Sequence, residues 1–74
     1  MRVTIITGDW ACRYMPRETV AELPDGQTVA DLLKTLDIPA DEIGLAAVNG
    51  KAVPRGHALC DGDIVKLYPV IIGG

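Results

Sequence analysis

The sequence predicts an α+β fold in which one helix covers one face of a small mixed sheet, and three observations carry that reading. Val29, Leu32, Leu33 and Leu36 recur at i, i+3, i+4 and i+7, a single apolar stripe that must be buried against another element. The β-branched run Val3 to Thr7 and the apolar run Ile64 to Val70 stand near the two ends of the chain and have the composition of strands. Asn49-Gly50 lies between two short apolar segments and signals a tight hairpin, because a type I′ turn needs positive φ at both central positions. A chain of 74 residues holds one core and therefore one domain.

In chain order, Gly8-Asp9 breaks the first strand, and Trp10 to Pro16 has no clear period and reads as a loop anchored by Trp10 and Tyr14. A second strand runs from about Arg17 to Leu23, with Thr19, Ala21 and Leu23 alternating against Glu18, Val20 and Glu22. Pro24-Asp25-Gly26 turns the chain. Thr28 opens a helix of about ten residues, with Asp31 three positions on completing a capping-box variant, and Asp37 and Pro39 stop it. Ile43 to Val48 is apolar enough for a strand buried over most of its length, and Lys51 to Val53 returns from the hairpin up to Pro54. Arg55 to Asp63 is a loop with a turn at Asp61-Gly62, after which Val65 and Leu67 face the helix while Lys66 and Tyr68 face solvent. The expected core is Val3, Ile5, Val29, Leu32, Leu33, Leu36, Val48, Val65 and Leu67. The first and last strands, being the most apolar, should lie side by side at the centre. This order is the β-grasp (ubiquitin-like) arrangement: a mixed four- to five-stranded sheet packed against one main helix.

Composition narrows the function. Seven Lys and Arg against ten Asp and Glu give a net charge of −3, and the cations are scattered, which argues against a nucleic-acid partner. The acidic residues Asp25, Asp31, Asp37, Asp41 and Glu42 are read first as solubilising charge, with a basic partner as the alternative. Cys12, Cys60 and the lone His57 do not make a zinc site, so no metal is expected. Both thiols are expected to pack, Cys60 half-buried in its loop; the alternatives are a thiolate at Cys12 favoured by Arg13 beside it, and receipt of persulfide sulfur at Cys60. His57 has no recognisable nucleophile or orienting partner and is read as a loop residue. No apolar run approaches the roughly 20 residues that span a bilayer, and the N-terminus lacks a secretory pattern, so the expectation is a cytoplasmic protein with no membrane partner. A core this small leaves no room for a deep private active site, so chemistry is expected on a surface or inside a partner.

The place for that chemistry is the end of the chain. Beyond Val70 the sequence runs through Ile71 and Ile72 into Gly73-Gly74, which gives residues 1–70 as the β-grasp domain and 71–74 as a flexible diglycine tail. Glycines lack the Cβ that would bar a narrow channel. At about 3.3 to 3.6 Å per residue, Val70 to Gly74 reaches roughly 17 Å, enough to carry a carboxylate into another protein.

Val48-Asn49-Gly50, Asp61-Gly62-Asp63, an apolar strand, Tyr68-Pro69 and Gly73-Gly74 together resemble the ThiS/MoaD sulfur-carrier family over essentially the whole chain. Tyr68-Pro69 is more similar to the molybdopterin synthase small subunit, and the short chain to the thiamine carrier. The resemblance implies a carrier rather than an enzyme. In it the Gly74 carboxylate is adenylated by a ubiquitin-activating-type adenylyltransferase and converted, with a sulfur donor, to a thiocarboxylate that a sulfur-accepting synthase subunit consumes. No cofactor is then held tightly, and ATP is used by the activating partner. Gly73, Ile72, Ile71, Tyr68 and Lys66 are the expected partner-binding residues, with Ile71 and Ile72 seated in an apolar groove of the partner. Two other readings stay open on the residues alone: a ubiquitin-like modifier joined to lysines through Gly74, and a non-covalent β-grasp interaction module.

Overall fold

The computed structural model describes residues 1–12 and 14–70. Five strands, β1 (Arg2–Ile6), β2 (Glu18–Glu22), β3 (Ile43–Val48), β4 (Lys51–Val53) and β5 (Ile64–Pro69), form one sheet in the order β2-β1-β5-β3-β4. β1 and β5 pair in parallel at the centre, as their apolar composition predicts, and the other pairs are antiparallel. The helix α1 (Val29–Thr35) lies between β2 and β3 in the chain. Short 3₁₀ turns at Asp9–Ala11 and Ala40–Glu42 occupy stretches read as loop.

Local chemistry explains the boundaries. Thr28 and Asp31 form the full reciprocal capping box, the Asp31 N–H donating to Thr28 Oγ1 at 3.3 Å and the Thr28 N–H to Asp31 Oδ2 at 2.9 Å. At the other end Asp37 takes φ 57°, the Asp37 N–H donates to the Lys34 carbonyl, and the Ile38 N–H donates to the Leu33 carbonyl. That is a Schellman closure, with Leu33 and Ile38 both buried beneath it. It ends the helix after seven residues rather than about ten. Leu36, expected in the core, is consequently only half-buried, and Ile38 fills the place. The hairpin forms as the sequence predicts, with Asn49 at φ 51° and Gly50 at φ 87°.

The core contains every other expected residue, and Met15, Leu23, Ile43, Ala46 and Leu59 besides. β3 is buried at four of its six positions, most of its length as expected, and Gly44 and Leu45 are the exposed pair. Pairing with β5 runs Ile43 to Pro69 and then Leu45 to Tyr68, so β3 holds one extra residue there, a β-bulge at Gly44. The bulge reverses the alternation: Ile43 is 1% exposed and Leu45 46%.

Candidate functional site

Sheet register determines which side chains share the face that α1 leaves open. Paired residues point to the same side. Thr4 lies between Val20 and Ile64, Ile6 between Glu18 and Lys66, Ala47 beside Lys66, and Leu45 beside Tyr68. Val20, Ile64, Leu45 and Tyr68 are all large, apolar and 44 to 55% exposed. Lys66 and Tyr68 therefore face solvent, as read from the sequence, and among the described residues Lys66 pairs with no carboxylate. The other cations near β1 differ: Arg2, on the same side, is bound to Glu22 at 2.8 Å, and Arg17, in the loop before β2, is paired with Asp9. One open cation on an apolar sheet face is the result.

An open cleft of about 390 Å³ lies where β1 ends and β5 continues, with Ile6, Trp10, Leu67 and Tyr68 among its walls. Trp10 and Tyr14 pack on the core as loop anchors, and the Tyr14 hydroxyl donates to Glu42. Beside them the Val70 N–H donates to the Glu42 carbonyl at 3.1 Å, the last described backbone bond of the chain. Apolar face, cleft and Val70 thus meet at one end of the sheet. Ile71, Ile72, Gly73 and Gly74 lie outside the described residues.

Much of the acidic charge has structural partners. Hydrogen bonds from the backbone N–H and then the hydroxyl of Thr28, assisted by Lys34, hold the Asp31 carboxyl below its usual range. Glu42 accepts from Tyr14, and Asp25 lies 3.5 Å from the Met1 amino group. Asp63 accepts from the Cys60 N–H at 2.8 Å and from the Asn49 side-chain amide at 2.9 Å, while Asn49 Oδ1 accepts from the Ile64 N–H. Asp61-Gly62-Asp63 thereby ties the 60–63 turn to the β3–β4 hairpin. The helix N-terminus is likewise occupied, its first N–H groups donating to the carbonyls of His57 and Arg55. His57 serves as a loop residue.

Cys12 and Cys60 are both exposed free thiols, contrary to the packing expected of them. Each follows a buried residue, Ala11 or Leu59, and the chain turns its side chain outward. Among the described residues no three His, Cys, Asp or Glu side chains gather to hold a metal ion, and no helix is long and apolar enough to cross a membrane.

The sequence alone identified Tyr68 and Lys66 but missed Val20, Ile6, Ile64 and Leu45 as parts of one face. Period-two alternation in β1, β2 and β5 carried the signal for the first three, whereas Leu45 depends on the bulge.

Solved structures share this architecture. The chain is similar to SAMP1 from Haloferax volcanii, with 24% identity over 100% of both chains and a TM-score of 0.77. It is also similar to a putative molybdopterin converting factor, subunit 1, from Pyrococcus furiosus, with 25% identity over 95% of this chain and 98% of that one and a TM-score of 0.78. A complex of subunits 1 and 2 of the molybdopterin-converting factor from Helicobacter pylori matches at 19% identity over 100% of both chains, with a TM-score of 0.66. The profile of the Mut7-C ubiquitin family matches residues 13–72, from the loop after β1 through all the remaining elements. With five strands in β-grasp order, one helix beneath them and that match, the chain belongs to the Mut7-C ubiquitin family and is a ubiquitin-like protein of the ThiS/MoaD type.

Proposed function

We propose that this protein is a sulfur carrier whose Gly74 carboxylate is activated and loaded by partner enzymes. One observation carries the reading. The central strand β5 leads through Pro69 and Val70 to the end of an open apolar face, and Gly73-Gly74 follows after only Ile71 and Ile72. A carrier needs such a division, with a rigid face for docking and a chain without side chains for delivery.

The chemistry is that of carboxyl activation. A carboxylate resists nucleophilic attack at carbon, so an oxygen of Gly74 first attacks the α-phosphorus of ATP in the activating enzyme and pyrophosphate leaves. The mixed anhydride then has AMP as leaving group, and a sulfide equivalent attacks the carbonyl carbon to give the thiocarboxylate. In an acceptor enzyme that soft nucleophile surrenders its sulfur and the carboxylate is regenerated. This protein contributes the carboxylate and the docking face, with ATP bound by the partner, and neither Cys12 nor Cys60 is required. A molybdopterin-type acceptor subunit is favoured over a thiamine-type one by the similarity to the Pyrococcus furiosus protein and the Helicobacter pylori complex.

Similarity to small archaeal modifier protein 1 of Haloferax volcanii supports a second reading, in which a lysine amine attacks the same adenylate and the protein becomes a covalent modifier. Intact mass after incubation with ATP, a sulfur donor and the cognate activating enzyme separates the two. One oxygen-to-sulfur exchange supports the carrier, and ladders of larger conjugates support the modifier. Pyrophosphate exchange that persists after deletion of Gly74 defeats both and leaves a non-covalent interaction module.

A further inference from the structure

The extra residue in β3 lies opposite the point where β5 becomes the tail. A Cβ built on Gly44 would stand 2.8 Å from the Pro69 carbonyl oxygen, 3.1 Å from the Val70 Cα and 3.2 Å from the Pro69 carbonyl carbon. All three are backbone atoms, so no flexible side chain can yield. Glycine is required here by close approach, since Gly44 is not among the residues with positive φ. Bulges bend a strand and raise its local twist. This one lets the Pro69–Val70 backbone pass directly over β3, where the Val70 N–H reaches the Glu42 carbonyl. Pro69 cannot donate to the ladder, so that bond at Val70 is the fixing point beyond Tyr68.

We infer that Gly44 is a positioning residue: by leaving space for the Pro69–Val70 backbone it sets the direction in which the chain leaves the sheet at Val70, the point from which the Gly74 carboxylate is delivered. Its catalytic consequence rests on the carrier or modifier reading; its effect on Val70 does not. Docking centres on Lys66 and Tyr68, whereas the close contacts of Gly44 are with the Pro69–Val70 backbone, so the two contributions separate kinetically.

Gly44→Ala tests this, with Gly56→Ala as the control, since a Cβ at Gly56 meets nothing within 4 Å and φ there is not positive. The first readout needs no partner. Hydrogen exchange followed by NMR should show the Val70 amide losing about tenfold or more of its protection in Gly44→Ala, while the β1 and β5 amides keep theirs. The second is ATP–pyrophosphate exchange with the activating enzyme. Gly44→Ala should lower kcat by about tenfold to a hundredfold, because misplacement of a reacting group by about 1 Å costs up to that much, with KM for the carrier within about twofold of wild type. Gly56→Ala should match wild type in both. Should Gly44→Ala lose its fold, G44A/P69G frees φ at position 69, so that the carbonyl there can turn away from the added methyl, and carries the same kinetic test. Unchanged Val70 protection overturns the inference, and so does lost protection with kcat intact. If wild type itself supports no exchange, the functional reading fails instead, and the Val70 amide still decides whether Gly44 sets the path.

Discussion

Asp63 is a carboxylate only 9% exposed whose close partners are hydrogen-bond donors rather than cations. Its two oxygens take the Cys60 N–H and the Asn49 amide, and Asn49 in turn accepts from Ile64. Asp63→Ala leaves the first two donors without their acceptor, which should cost about 1 to 3 kcal/mol in urea denaturation. A change under about 0.5 kcal/mol, the range of an ordinary surface substitution, would mean that the turn holds without it. Asp31 does comparable work at the start of α1 and adds a pH dependence. Its folded carboxyl is held below the usual range, chiefly by the Thr28 N–H, whereas in the unfolded chain it titrates near pH 4. The stabilisation is therefore complete above about pH 4 and is lost as pH falls through the lower folded value. Asp31→Asn should reduce the drop in urea midpoint between about pH 5 and pH 2. An identical acid limb in variant and wild type would show that the cap contributes nothing through its charge.

Among the elements, α1 depends most on its packing, because seven residues are too few for a helix to persist on propensity alone. Leu33 is 1% exposed, and its carbonyl also accepts the closing bond from Ile38. Leu33→Ala should destabilise the domain by about 2 to 5 kcal/mol, read from chemical denaturation. A loss below about 0.5 kcal/mol would remove it from the core. The same helix shows what sequence can and cannot reveal. Its stripe and Thr28-x-x-Asp31 are local patterns with local causes, and both form as read; so does the hairpin, since Asn49-Gly50 suits a turn that needs two positive φ angles. Leu36 misled because the Schellman closure brought Ile38 down in its place. Met15 and Leu59 went unread because they enter the core from irregular segments, where no period marks them. Gly44 is a harder case: its bulge exists only in register with Pro69, a pairing between distant parts of the chain.

At the scale of the whole molecule, the fold divides its two faces between stability and contact. The helix side buries Val3, Ile5, Val65 and Leu67, each at most 2% exposed, and the opposite side leaves Val20, Leu45, Ile64 and Tyr68 open around Lys66. Tyr68 and Lys66 were legible because they alternate with Val65 and Leu67 along one strand. Their grouping with Val20 and Leu45 was not, because it needs the strand order. Contiguous exposed apolar surface marks an interaction site, and Tyr is among the residues that dominate such contacts. Tyr68→Ala should therefore weaken binding to the activating enzyme by about 1 to 2 kcal/mol, roughly fivefold to thirtyfold in Kd by titration calorimetry. Stability should change by less than about 0.5 kcal/mol, since the ring is half exposed and outside the core. Lys51→Ala, on the edge strand β4, provides a comparison that should leave Kd unchanged. Deleting Gly74 should do the opposite of Tyr68→Ala, abolishing pyrophosphate exchange while Kd remains near that of the intact protein. Equal Kd for Tyr68→Ala and wild type would place the docking surface elsewhere on the molecule.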